Sequence, residues 1–106
     1  MFLGGVWERL VRENLKHHRL PDDDCDWRKV GRWWGTSLDR KPMEVDVVAE
    51  SADGKRLLIG EAKLKLTAKE YEYELSELRR KAQNLPFAKN YSDIQCRLFV
   101  AENKTL

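Results

Sequence analysis

The chain has 106 residues, 42% of them hydrophobic and 36% charged, which suits one globular domain with a modest core and a heavily solvated surface. Its 20 basic and 18 acidic side chains leave a formal net charge of +2, too near balance to mark a nucleic-acid binder, so any such contact needs a local basic patch. Two cysteines without C-x-x-C spacing argue against a zinc site or a disulfide scaffold, and no apolar run approaches the ~20 residues of a membrane helix. Together these features predict a soluble, cytoplasmic protein.

Met1 is followed almost at once by Gly4-Gly5 and a helical pattern, which reads as a domain cut from a longer protein. The first helix is predicted from Val6 to His18, with Val6, Trp7, Leu10, Val11 and Leu15 on one face. Pro21 stops it, and Asp22, Asp23 and Asp24 make a polar turn. Trp27 to Gly35 reads as a short strand rich in aromatic and β-branched residues. Met43 to Glu50 is the clearest strand. Strict alternation puts Val45, Val47 and Ala49 on one face and Glu44, Asp46, Val48 and Glu50 on the other.

Ser51-Ala52-Asp53-Gly54 is a hairpin turn, and Arg56 to Leu64 its partner strand. There Leu57, Ile59, Glu61 and Lys63 share a face, opposite Leu58, Gly60, Ala62 and Leu64. Thr67 and Glu70 have capping-box spacing and open a long helix with the stripe Tyr71, Leu75, Leu78, Ala82 and Leu85. Pro86 closes that helix, and a last strand runs from Ile94 to Ala101. The order α, β, β, β, α, β predicts a single domain over residues 1–106 with a small mixed sheet.

Chemistry concentrates on the hairpin. Antiparallel pairing around the Asp-Gly turn brings Asp46 near Glu61, with Lys63 two residues further along the same face. Two carboxylates suit a hard divalent cation such as Mg2+ or Mn2+. A lysine beside them can orient an attacking water or stabilise charge developing on a phosphate. The set is complete for phosphodiester hydrolysis. The plain alternative is a solvated ion-pair network, the usual meaning of charges on a strand.

The segments Trp7-Glu8-Arg9, Glu44-Val45-Asp46 and Gly60-Glu61-Ala62-Lys63 resemble the helix carboxylate, hairpin Asp and Glu-x-Lys of the PD-(D/E)XK nuclease superfamily. Val45 stands where that motif has proline. With Gly31-Arg32-Trp33-Trp34-Gly35 added, the chain looks most similar to the nuclease-like C-terminal domain of archaeal-type ATPases. That likeness implies an α/β, restriction-endonuclease-like core: a four-stranded mixed sheet flanked by two helices. It also implies a magnesium-dependent endonuclease acting on DNA, with Asp46, Glu61 and Glu8 as metal ligands and Lys63 as the fourth catalytic residue. The ATPase domain of the same parent chain is the implied partner, and dimeric relatives make a homodimer the corresponding expectation. No G-x-x-x-x-G-K-[ST] loop is present, so ATP hydrolysis is not expected of this segment. The alternative function is a non-catalytic DNA- or partner-binding regulatory module of such an ATPase.

Several residues stay open at the level of sequence. Glu8 and Glu13 lie at opposite edges of the helix stripe, and the family pattern favours Glu8. Trp33 and Trp34 suit base stacking, although core packing is the commoner use of such residues. His17 and His18 read as a C-terminal helix cap rather than metal ligands. Lys65, Lys69, Arg79, Arg80 and Lys81 read as a solvated helix surface diluted by Glu70, Glu72, Glu74 and Glu77. Gln83 is within reach of the site only if the second helix turns it inward.

Overall fold

The computed structural model describes residues 3–17, 20, 22, 23 and 25–102. Helix α1 (Leu3–His17) begins earlier than Val6 and ends at His17. His18, Pro21 and Asp24 lie outside the described residues. Strands β1 (Trp27–Thr36), β2 (Pro42–Ser51) and β3 (Arg56–Lys65) follow, then α2 (Ala68–Asn84), a short turn of 3-10 helix at Ala88–Asn90, and β4 (Asp93–Glu102).

The fold is α/β. The strands lie in the order β1-β2-β3-β4. The first two pairings are antiparallel and β3–β4 is parallel, so the sheet is mixed as expected. The parallel step requires a crossover, which α2 supplies. Its start is fixed by the expected capping box: Thr67 Oγ1 accepts from Glu70 N–H at 3.2 Å, and Glu70 Oε1 accepts from Thr67 N–H at 2.8 Å. The β2–β3 turn closes with Gly54 N–H donating to Ser51 O at 2.9 Å, and Gly54 takes a φ of 74° that favours glycine.

Alternation along β3 divides the core into two layers. Leu57 and Ile59 pack with Leu78, Ala82 and Leu85 of α2. Leu58 and Ala62 pack with Val11 and Leu15 of α1. The helices therefore cover opposite faces of the sheet. On α1, Trp7 is half-buried and donates its indole N–H to Phe99 O at 2.9 Å, whereas Val6 and Leu10 stay exposed. The helix is thus rolled away from its full predicted stripe, because Glu8 and Arg12 also face inward at the i+4 spacing of that side.

Strand β2 departs from strict alternation. Met43 and Val45 join the α2 layer, while Val47 and Ala49 join the α1 layer. The cause is a β-bulge. Gly31 pairs with Val48 and Trp33 with Val45, so β2 advances three residues while β1 advances two. The extra residue falls between Val45 and Val48, and Asp46 sits in it.

Candidate metal and phosphoryl-transfer site

The bulge also ends the β2–β3 ladder, whose pairs run from Glu50 opposite Leu57 to Val47 opposite Gly60. Beyond it the strands are joined through carboxylates. Asp46 N–H donates to Glu61 Oε2 at 3.1 Å, and Ala62 N–H donates to Asp46 Oδ2 at 3.0 Å. Each acid thus binds a main-chain donor of the other's strand. Two carbonyls of the bulged segment are satisfied from the helices. Arg12 Nη1 of α1 donates to Asp46 O at 2.9 Å, and Lys81 Nζ of α2 donates to Glu44 O at 2.7 Å. Asp46 is thus tied to α1 through its carbonyl and to β3 through its N–H and its carboxylate.

Glu61 is buried, 9% exposed, and its Oε1 lies 3.2 Å from Lys81 Nζ. Burial raises its carboxyl pKa first, and the Asp46 charge adds to this; the Asp46 N–H and Lys81 oppose it. Glu8 is raised by partial burial and then by Asp46 and Glu44, against Arg12 and Arg32. Four carboxylates (Glu8, Glu44, Asp46, Glu61) therefore have three cations (Arg12, Arg32, Lys81) as electrostatic neighbours.

Of the two α1 carboxylates, Glu8 is the one turned toward this cluster. Glu13 is exposed and pairs with Lys16 at 3.0 Å. Lys63 follows Glu61 on the same face, but its ammonium lies 3.5 Å from Glu74 Oε1 on α2. The cation on Glu61 is Lys81 instead, which sequence reasoning assigned to a solvated surface. Its place in the stripe Leu78, Lys81, Ala82, Leu85 was the available signal: a charge at i+3 among buried positions needs an inward partner. The remaining cations behave as solvated charges. Lys65, Lys69 and Arg79 are exposed, and Arg80 pairs with Glu77 at 3.2 Å. Gln83 is exposed as well, and His17 is exposed at the end of α1.

Asp46 and Glu61 offer hard oxygen donors, which fits magnesium. That ion commonly takes only one or two protein carboxylates and keeps several waters. Among the described residues no three His, Cys, Asp or Glu side chains form a group able to hold a metal, so Glu8 does not complete a three-ligand set. Its place is beside the pair, as an electrostatic neighbour of Asp46.

The raised Glu61 carboxyl has a testable sign. A group whose folded pKa exceeds its unfolded value binds more protons when folded, so its contribution to stability falls as pH rises from about 4.5 through the folded value. In metal-free buffer, melting temperature should decline more steeply over that window in the wild type than in Glu61→Gln. Parallel profiles would mean that Glu61 ionises without penalty.

A family model, DUF234, described as "Archaea bacterial proteins of unknown function", matches residues 1–75. No curated protein and no solved structure matches the chain. The matched segment contains Glu8, Asp46, Glu61 and Lys63 but stops short of Lys81.

Proposed function

The chain belongs to the DUF234 family, whose description names no activity, and from its own residues we propose that it is a metal-dependent nuclease domain hydrolysing phosphodiesters of DNA. The observation that carries this reading is the reciprocal clamp at the β2 bulge, where Asp46 and Glu61 each bind the other strand's main chain. In this reading the core is restriction-endonuclease-like, as the PD-(D/E)XK resemblance implies.

Asp46 and Glu61 would hold Mg2+ or Mn2+, which when bound supplies a Lewis acid at the phosphate and a more acidic water. Glu8 assists from α1 by adding negative charge beside Asp46. Lys63, steadied by Glu74, orients the attacking water. Arg12 and Lys81 keep the bulge open by occupying its carbonyls. Cys25 and Cys96 are both free, which suits a reducing cytoplasm. A parent ATPase chain as partner and a homodimer as working assembly belong to the same proposal.

One observation favours a second reading. Lys81 already neutralises Glu61, and Lys63 is engaged with Glu74. An idle site in a DNA- or partner-binding regulatory module has those properties. The discriminating experiment incubates the purified protein with duplex, single-stranded and branched DNA in Mg2+ or Mn2+. Metal-dependent cleavage that vanishes in Lys63→Ala supports the nuclease; binding without cleavage of any form, in either metal, supports the regulatory module.

A further inference from the structure

A groove of about 640 Å³ opens beside the carboxylate cluster, between the end of β1, the 37–41 loop and the last turns of α2. That volume is within the usual range for a ligand pocket. Its walls are built in advance. Ser37 N–H donates to Lys41 O at 2.9 Å, which closes the loop, and Leu38 N–H donates to Asn84 O at 2.8 Å, which ties the loop to α2.

The two adjacent tryptophans are used differently. Trp33 turns into the α2 layer and meets Phe87 edge-on at 5.6 Å. Trp34 turns to the groove, is 63% exposed and carries the Arg32 guanidinium over its ring at 4.9 Å. Lys41, Arg80 and Lys81 line the same groove with Asp39 and Glu44; Arg80 also pairs with Glu77 and Lys81 with Glu61. The Asp39 carboxylate is taken up by the Ser37 hydroxyl. Lys81 is shared with the carboxylate cluster, so the groove runs directly into it.

An exposed indole among cations is the combination that binds single-stranded nucleic acid: bases stack on the ring and phosphates meet the charges. Bases inside a continuous duplex present edges, not faces, and cannot stack on Trp34. We infer that this groove takes an unpaired DNA strand, with a base stacked on Trp34 and the phosphate following it held by Lys41 and Lys81. The inference rests on the nucleic-acid reading of the adjoining site and specifies its substrate as DNA with a single-stranded segment.

The test is binding of a fluorescent 12-nucleotide single strand and of its duplex in EDTA, which removes cleavage from the measurement. The wild type should prefer the single strand. Trp34→Ala should weaken single-strand binding about tenfold, the scale of one lost base stack, leave duplex binding nearly unchanged and keep its far-UV spectrum; Trp34→Phe should retain most of the affinity. Equal binding by Trp34→Ala, or a preference for duplex, overturns the inference even if the protein cuts DNA. Absence of binding to either DNA, the outcome if Trp34 and exposed Leu38 meet a protein instead, overturns it too. A Trp34-dependent single-strand preference without cleavage in magnesium would uphold the groove and remove the nuclease reading.

Discussion

Asp46→Asn should lower metal-dependent DNA cleavage by about a thousandfold while leaving the domain folded. The choice of asparagine follows from the geometry. Asp46 Oδ2 accepts from Ala62 N–H, and an amide oxygen can keep that bond, whereas alanine would strand a main-chain donor in a partly buried place. What asparagine removes is the charge. A metal's stabilisation of the reacting phosphate is worth several kcal/mol, and each ~1.4 kcal/mol is a factor of ten, hence the magnitude. Single-turnover cleavage rates with saturating metal measure it, alongside an unchanged melting temperature in EDTA. Cleavage within tenfold of the wild type would mean that Asp46 holds no metal.

Gly60→Val should destabilise the fold by about 3 kcal/mol or more, the upper end of overpacking costs. A Cβ at Gly60 would stand 2.6 Å from Phe99 Cε2 and 2.9 Å from the Arg97 carbonyl oxygen. The ring can swing, but the carbonyl belongs to β4, paired with Gly60 in the parallel ladder. Moving β4 would also pull on the Trp7–Phe99 hydrogen bond that fastens α1 beside Glu8. For a domain of this size the loss corresponds to roughly 10–20 °C in melting temperature. Denaturant unfolding checks it, and a change under 0.5 kcal/mol, within ordinary surface effects, would show that β4 yields easily.

Much of the architecture was legible because its signals are local. Period-two alternation placed Leu57, Ile59 and Glu61 opposite Leu58, Gly60 and Ala62 correctly. The Thr67–Glu70 box and the Asp53–Gly54 turn formed as spacing implied. The hairpin also brought Asp46 to Glu61. What escaped was set by distant partners. The bulge that carries Asp46 arises from how β2 registers with β1, and no local alternation records it. Strict alternation therefore kept Val45 with Val47, which the bulge separates. Lys63 shares Glu61's face as expected and also meets Glu74 of α2, while Lys81 of the same helix, read as a solvated surface charge, is the cation on Glu61. The Trp33–Trp34 pair held both candidate roles, and the strand's pleat gives one residue to each. Helical spacing put Val6 and Leu10 on the apolar face, but they stay exposed while Glu8 and Arg12 are half-buried.

Under the proposed function, Asp46 and Glu61 are held together for a divalent cation. Melting temperature with and without 5 mM Mg2+ near pH 8, in the wild type and in Asp46→Asn, tests it most directly, since a ligand of the folded state alone stabilises by RT ln(1 + [L]/Kd) with about 0.59 kcal/mol for RT. The expected result is a rise of several degrees in the wild type that Asp46→Asn abolishes. An identical response to magnesium in both proteins, or none in either, would contradict it.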